Sequence, residues 1–205
     1  MNRREHWEWV YRSKLPTAVS WYQPEAELSM RLIRNVVPER DAAIIDIGGG
    51  ASVLVDQLIA AGYSNLTVID LSRAAVELVR ARLGAHGVDV RWLEADILEA
   101  TLPAGGYQFW HDRAVFHFLT EAGDRATYVA QAQRAIAPGG HILIATFAED
   151  GPTRCSGLDV VRYTPDALHA ELGAGFAMVA AHREEHHTPS GAVQAFTYCL
   201  CTRLP

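Results

Sequence analysis

The chain has 205 residues, 49% of them apolar and 20% charged, which is the size of one domain with a sizeable core and too short for two ordinary ones. Its 18 basic and 24 acidic side chains leave a net charge of −6, so the counterion-release term that drives nucleic-acid affinity is missing and no nucleic-acid partner is expected. No stretch approaches the roughly 18 to 20 uninterrupted apolar residues of a membrane span, and the charged start Met1-Asn2-Arg3-Arg4-Glu5-His6-Trp7-Glu8 lacks the apolar core of a signal peptide.

A cytoplasmic protein with no membrane partner is therefore expected. Three cysteines, Cys155, Cys199 and Cys201, are too few for a disulfide scaffold and suit a reducing compartment. Lys14 is the only lysine, a compositional bias in favour of arginine.

In chain order, an aromatic-rich start is followed by a helix over residues 25–37, bracketed by Pro24 and Pro38. Short apolar runs then alternate with helical stretches, as βα units around a parallel sheet do. The predicted strands are 42–47, 66–70, 88–93, 107–112 and 141–147. The predicted helices between them are 52–61, closed by Gly62, 72–83, capped by Ser72 and ended by Gly84, and 121–136. A loop through Arg162 and a short helix, 165–172, lead to two strands, 177–185 and 192–202. The turn-rich His186-His187-Thr188-Pro189-Ser190-Gly191 joins them as a hairpin, so the last strand must run antiparallel. One domain spans the chain: an N-terminal lid and helix (1–40), a core (42–147), and a substrate loop with closing hairpin (148–205).

The sharpest motif is Ile45-Asp46-Ile47-Gly48-Gly49-Gly50-Ala51-Ser52, at the turn from the first strand into its helix. Glycines there let a ligand approach the backbone at the carboxyl end of the sheet. Val53 stands where a dinucleotide fingerprint needs its third glycine, and no Gly-Lys-Ser/Thr follows, so pyrophosphate and phosphate loops are excluded. What remains, an acid two places before a Gly-x-Gly turn, suits a zwitterionic amino-acid moiety. Asp70, followed by Leu71, ends the second strand and can accept from both hydroxyls of a ribose. Asp96, in Ala95-Asp96-Ile97 after the third strand, is placed to accept from an adenine amine.

On these residues the sequence resembles the class I S-adenosylmethionine-dependent methyltransferases. Residues 42–147 cover that family's core: Asp46-Ile47-Gly48-Gly49-Gly50 its first motif, Asp70 its ribose acid, Ala95-Asp96-Ile97 its adenine motif, and Ala137-Pro138-Gly139-Gly140 its turn before the fifth strand. Gly49 stands where many members have another small residue. The resemblance implies a three-layer Rossmann-like α/β fold with a seven-stranded, mostly parallel sheet of order 3-2-1-4-5-7-6, and S-adenosyl-L-methionine as cofactor.

Methyl transfer needs alignment, exclusion of water and, where the nucleophile is protonated, a proton acceptor; no metal is required. Asp112, Arg113 and His117, in Trp110-His111-Asp112-Arg113-Ala114-Val115-Phe116-His117 at the end of the fourth strand, are the candidate catalytic residues. Arg113 would hold an anionic acceptor through its fork. The Trp-x-Asp-Arg-Ala string is similar to the corresponding stretch of thiopurine S-methyltransferases, with His111 interrupting it. A small-molecule acceptor, thiol-bearing or anionic, is the main expectation. A protein lysine is the alternative acceptor, and a non-catalytic cofactor-binding regulator is a third reading.

Trp21 and Tyr22 are candidate lid residues over the cofactor, with Trp7 on the same N-terminal segment, unless that segment is only a helix packed at the sheet edge. Residues 151–158 form a third candidate lid, from which Cys155 and Arg162 could face the acceptor, with Arg154 as a further cation for an anionic one. Cys199 and Cys201 share one strand face, with nothing to bring Cys155 to it. His186 and His187 read as a solvated hairpin tip. The chain is expected to be a monomer or homodimer.

Overall fold

Ile44–Ile47 forms a strand (β1) that is buried throughout, the pattern of a parallel strand covered by helices on both faces. In the computed structural model, which describes residues 2–205, β1 lies inside a seven-stranded sheet. Leu66–Asp70 (β2) and Arg91–Glu94 (β3) extend the sheet on one side of it, Tyr107–Arg113 (β4) and Ile136–Phe147 (β5) on the other, all parallel. Arg154–Cys155 (β6) and Leu158–Asp159 (β7) make a small separate hairpin. Phe176–His187 (β8) and Val193–Arg203 (β9) are the closing antiparallel pair, with β9 against β5. The order β3-β2-β1-β4-β5-β9-β8 is the predicted 3-2-1-4-5-7-6 once the small hairpin is counted.

Among the described residues six helices cover this sheet: Arg3–Ser13 (α1), Glu27–Val36 (α2), Leu54–Ala60 (α3), Arg73–Leu83 (α4), Ala122–Ala135 (α5) and Pro165–Leu172 (α6). Alternation along the strands builds one core on each face. Phe109, Leu143, Tyr198 and Leu200 pack with α2, α3 and α4; Ile45, Trp110, Ile142, Cys199 and Cys201 pack with α5 and α6. Among the described residues no helix is long and apolar enough to cross a membrane.

Local signals explain most boundaries. Ser72 Oγ accepts from the Ala75 N–H at 3.2 Å and starts α4, which ends at Gly84 with φ +52°. Thr164 caps α6 with Pro165 in its first turn. Three expectations are corrected. The third strand starts at Arg91 rather than residue 88, because Gly84–Gly87 forms a 3-10 turn that leaves Val88 exposed. The fifth starts at Ile136, which pairs with Tyr107, and the Pro-Gly-Gly run is a bulge in that strand, with Gly139 at φ +78°. The last turn begins after His187, so His186 is not a solvated tip: it lies buried in β8 and its Nε2 meets the Ser20 carbonyl at 2.7 Å.

The N-terminal segment is both a helix and a cover. Asn2 and Glu5 form a reciprocal capping box, Asn2 Oδ1 accepting from the Glu5 N–H at 2.9 Å and the Asn2 N–H donating to Glu5 Oε2 at 3.1 Å. Glu8 then docks α1 on α4, accepting from the Ser72 hydroxyl at 2.8 Å and the Ala74 N–H at 3.1 Å. A carboxylate at a helix N-terminus meets unpaired N–H groups and the positive end of the dipole.

Candidate active site

The carboxyl ends of β1, β2 and β4 open into two adjoining pockets under α1. The larger encloses about 810 Å³, part of it open to solvent, and is lined by Gly48, Asp70, Leu71, Asp96, Ile97 and Arg113 with the rings of Trp7, Tyr11, Trp21 and Phe118. The smaller, about 560 Å³, shares Tyr11, Trp21, Gly48 and Arg113 with it and adds Asp46, Gly49, Tyr22, Ser29 and His111.

The glycine turn is required by close approach. Gly48 has φ +66°, and a Cβ there would fall 2.2 Å from Val115 Cγ2. A Cβ on Gly50 would fall 2.5 Å from Asp70 Oδ2, the atom to which the Gly50 N–H donates at 3.0 Å. The Ser72 N–H donates to the other oxygen, Oδ1, at 2.8 Å. Asp70 is thus locked at the pocket wall with a lone pair left on each oxygen, and burial raises its carboxyl to about 6 despite these bonds. Asp46 is buried, with one oxygen bonded to His111 and the other, Oδ2, without a partner. Asp96 Oδ1 accepts from the Leu98 N–H, which fixes the loop bearing Ala95 and Ile97 against the larger pocket.

These groups fit the expected cofactor. Gly48 and Gly49 line the pockets, the buried Asp46 carboxylate keeps one oxygen without a partner for the amino-acid end, Asp70 keeps a lone pair on each oxygen for a ribose, and Asp96 with Ile97 lines the larger pocket where a base would lie.

The catalytic expectations need correction. Strand alternation turns Asp112 away from the pockets, onto the α5 face. There it accepts from the Tyr128 hydroxyl at 2.5 Å and the Val115 N–H at 2.9 Å. Burial pushes its carboxyl up to about 6, but it holds the turn after β4 and meets neither pocket. His117 is also fully buried, packed against Phe118 and Phe147; burial, then the Arg113 charge, brings it down to about 3, so it is a neutral core histidine.

Arg113 does line both pockets, yet its fork is committed. Nε donates to the Tyr198 hydroxyl at 2.9 Å, Nη1 to the Trp21 carbonyl at 3.1 Å and Nη2 to Glu184 at 3.3 Å. It fastens the lid instead of waiting for an anion. The other proposed cations point elsewhere: Arg154 pairs with Asp159 on the surface, and Arg162 donates to the Gly151 carbonyl. From the 151–158 loop only Cys155 reaches the larger pocket, buried, its thiol pushed up to about 11 by that burial. Cys199 and Cys201 face the opposite core, so the three thiols do not converge. Among the described residues no cluster of three His, Cys, Asp or Glu side chains suits a metal.

Trp21 lines both pockets and Tyr22 the smaller one, and Trp7 joins Trp21 over the larger pocket, their rings edge-on at 5.6 Å. Sequence reasoning missed Tyr11, although its place in the same aromatic run was a signal. It missed Phe118 and the Glu184–Tyr198 pair too, which only the folded hairpin brings in.

Residues 44–140 match the family model described as a methyltransferase domain. Human EEF1A lysine methyltransferase 2 is 27% identical over 205 residues, covering 92% of this chain and 78% of that protein. A structure of the conversion of a disulfide bond into a thioacetal group during echinomycin biosynthesis superposes with a TM-score of 0.77 at 18% identity, over 99% of this chain and 93% of that one. Burkholderia thailandensis 1,6-didemethyltoxoflavin-N1-methyltransferase, with 1,6-didemethyltoxoflavin and S-adenosylhomocysteine bound, gives 0.71 at 19%, over 89% and 80%.

Proposed function

We propose, for a chain that belongs to the class I S-adenosylmethionine-dependent methyltransferases, that its methyl acceptor is the side-chain amine of a protein lysine. The observation that carries this is the engagement of Arg113 with Glu184, Tyr198 and the Trp21 carbonyl: three of its five N–H groups are taken and its charge is paired with Glu184, so it is not a free fork for an anionic acceptor. The wall beside it is aromatic instead, with Trp7, Tyr11, Trp21 and Phe118. The lysine methyltransferase activity in the name of the human relative supports the same choice.

When bound, the cofactor supplies an electrophilic methyl group on a sulfonium. The chain's part is to bring a neutral nitrogen to it in line. Ring faces attract an arriving ammonium by roughly 0.5 to 2 kcal/mol. Desolvation among the same rings lowers the amine's pKa, so its proton leaves to water before attack. No side-chain base is needed, which agrees with Asp112 and His117 facing away. The bound cofactor would supply the methyl carbon and take back the carbon–sulfur pair, while the chain's residues would only hold the amine in line.

The test uses methyl-labelled cofactor with two acceptor pools, dialysed cell protein and the low-molecular-weight fraction. Label recovered from acid-hydrolysed protein as Nε-methyl-lysine is the expected result. Label confined to small molecules overturns it and leaves the second reading, a small neutral acceptor, which the partial cover of the pocket by α1 favours.

A further inference from the structure

The smaller pocket contains a buried chain of polar groups that neither the fold nor methyl transfer as described above requires. β1 and β4 pair in parallel with Asp46 opposite His111, so their side chains leave the same face of the sheet side by side. His111 Nδ1 lies 2.7 Å from Asp46 Oδ1, and Nε2 lies 2.9 Å from the Ser29 hydroxyl on α2. A carboxylate only accepts, so Nδ1 carries the proton, and Nε2 is hydrogen-bonded to the Ser29 hydroxyl. All three side chains are buried and all three line the pocket.

The second oxygen of Asp46 has no partner. A Cβ on Gly49 would fall 2.3 Å from it, so the carboxylate lies directly beneath the glycine turn. A buried carboxylate oxygen left open among satisfied neighbours is a place for a donor from a ligand.

We propose that His111 is a positioning residue for the cofactor's amino-acid end: by fixing one oxygen of Asp46 and being fixed in turn by Ser29, it aims the other at the ligand's α-ammonium. This rests on the S-adenosylmethionine assignment. It predicts an effect confined to the part of the ligand that carries the ammonium. The nucleoside end, held at Asp70 and Asp96, is untouched.

The test is calorimetric titration of the full chain with S-adenosylhomocysteine and with 5′-methylthioadenosine, which shares the nucleoside and thioether but lacks the amino acid. His111→Gln, whose amide cannot reach Asp46 from the Nδ1 position, is expected to weaken S-adenosylhomocysteine about tenfold, as loss of a hydrogen bond to a charged group does. It is expected to leave methylthioadenosine unchanged. His111→Asn, whose amide nitrogen falls near Nδ1, is expected to keep S-adenosylhomocysteine within about threefold of wild type. Equal losses for both ligands, or none for either, would show His111 to be a packing group and overturn the proposal. So would His111→Asn losing as much as His111→Gln. A wild-type chain that binds neither ligand would instead remove the cofactor assignment on which the proposal stands.

Discussion

His117 shows how burial decides what a histidine can do. Nδ1 accepts from the Phe147 N–H at 3.4 Å, and Nε2 has no partner at all. Protonation there would add a charge with no water to hold it, which is why the ring titrates near 3, against an ordinary value of about 6.5. The folded pKa lies below the unfolded one, so the stability this ring contributes is fully present above the unfolded pKa of about 6.5. It is lost as pH falls toward the folded pKa. Between pH 7 and pH 5 the wild type should lose about 2 kcal/mol relative to His117→Leu, at 1.36 kcal/mol for each unit below 6.5. Denaturant unfolding of both proteins at the two pH values measures it. A difference independent of pH would mean that the ring is solvated. Asp112 and Asp70, raised to about 6, work the other way: their folded pKa values exceed the unfolded ones, so their contribution fades as pH rises from about 4 through 6. Comparison with the single variant isolates the histidine from them.

The elements differ in how readily they could be read. The βα units were legible because buried strands read as short apolar runs and because Ser72, Gly84, Thr164 and Pro165 mark helix ends by known geometry. The positions of the candidate cofactor acids were legible for the same reason, Asp46, Asp70 and Asp96 each standing at or just beyond the end of such a run. Asp112 was misread although period-two alternation already separates it from His111 and Arg113. The partners of Arg113 were not legible, since Tyr198 and Glu184 lie 85 and 71 residues away and only the closing hairpin brings them in. α1 was only half read: Val10 and Tyr11 are its only buried residues, too few to show a helical stripe, yet Asn2 and Glu5 carry the capping box. Trp7 and Tyr11 pack α1 against Ala75, Leu78 and Trp21, and the polar contacts that dock it centre on Glu8. Glu8→Ala removes two hydrogen bonds to the start of α4 and should cost about 1 to 3 kcal/mol of local stability. Amide exchange of residues 3–13 would then speed up about 5- to 150-fold, with residues of β1 and β4 unaffected. Uniform acceleration across the chain would point instead to a global loss.

At the scale of the whole molecule, α1 and the segment through Trp21 form a cover held from two ends, by α4 through Glu8 and by the closing hairpin through His186 directly and through Glu184 by way of Arg113 of β4. A bound ligand in contact with Trp7, Tyr11 and Trp21 would hold such a cover shut by mass action. The odd composition of the chain makes this measurable. Lys14, the single lysine, is the exposed cap residue at the end of α1, so a lysine-specific protease has one site and cleavage there separates α1 from the rest. Tyr11 precedes the site by three residues and Trp21 follows it by seven, so presenting an extended segment to the protease detaches the cover from the pocket. If cleavage goes through the opened, ligand-free form, S-adenosylhomocysteine at about 100 times its dissociation constant should slow it by about 100-fold. 5′-Methylthioadenosine at the same relative saturation should protect equally, because both occupy the pocket under Trp7. Cleavage at the same rate with and without ligand would mean that the segment around Lys14 frays while the cover stays closed, and that α1 does not gate the site.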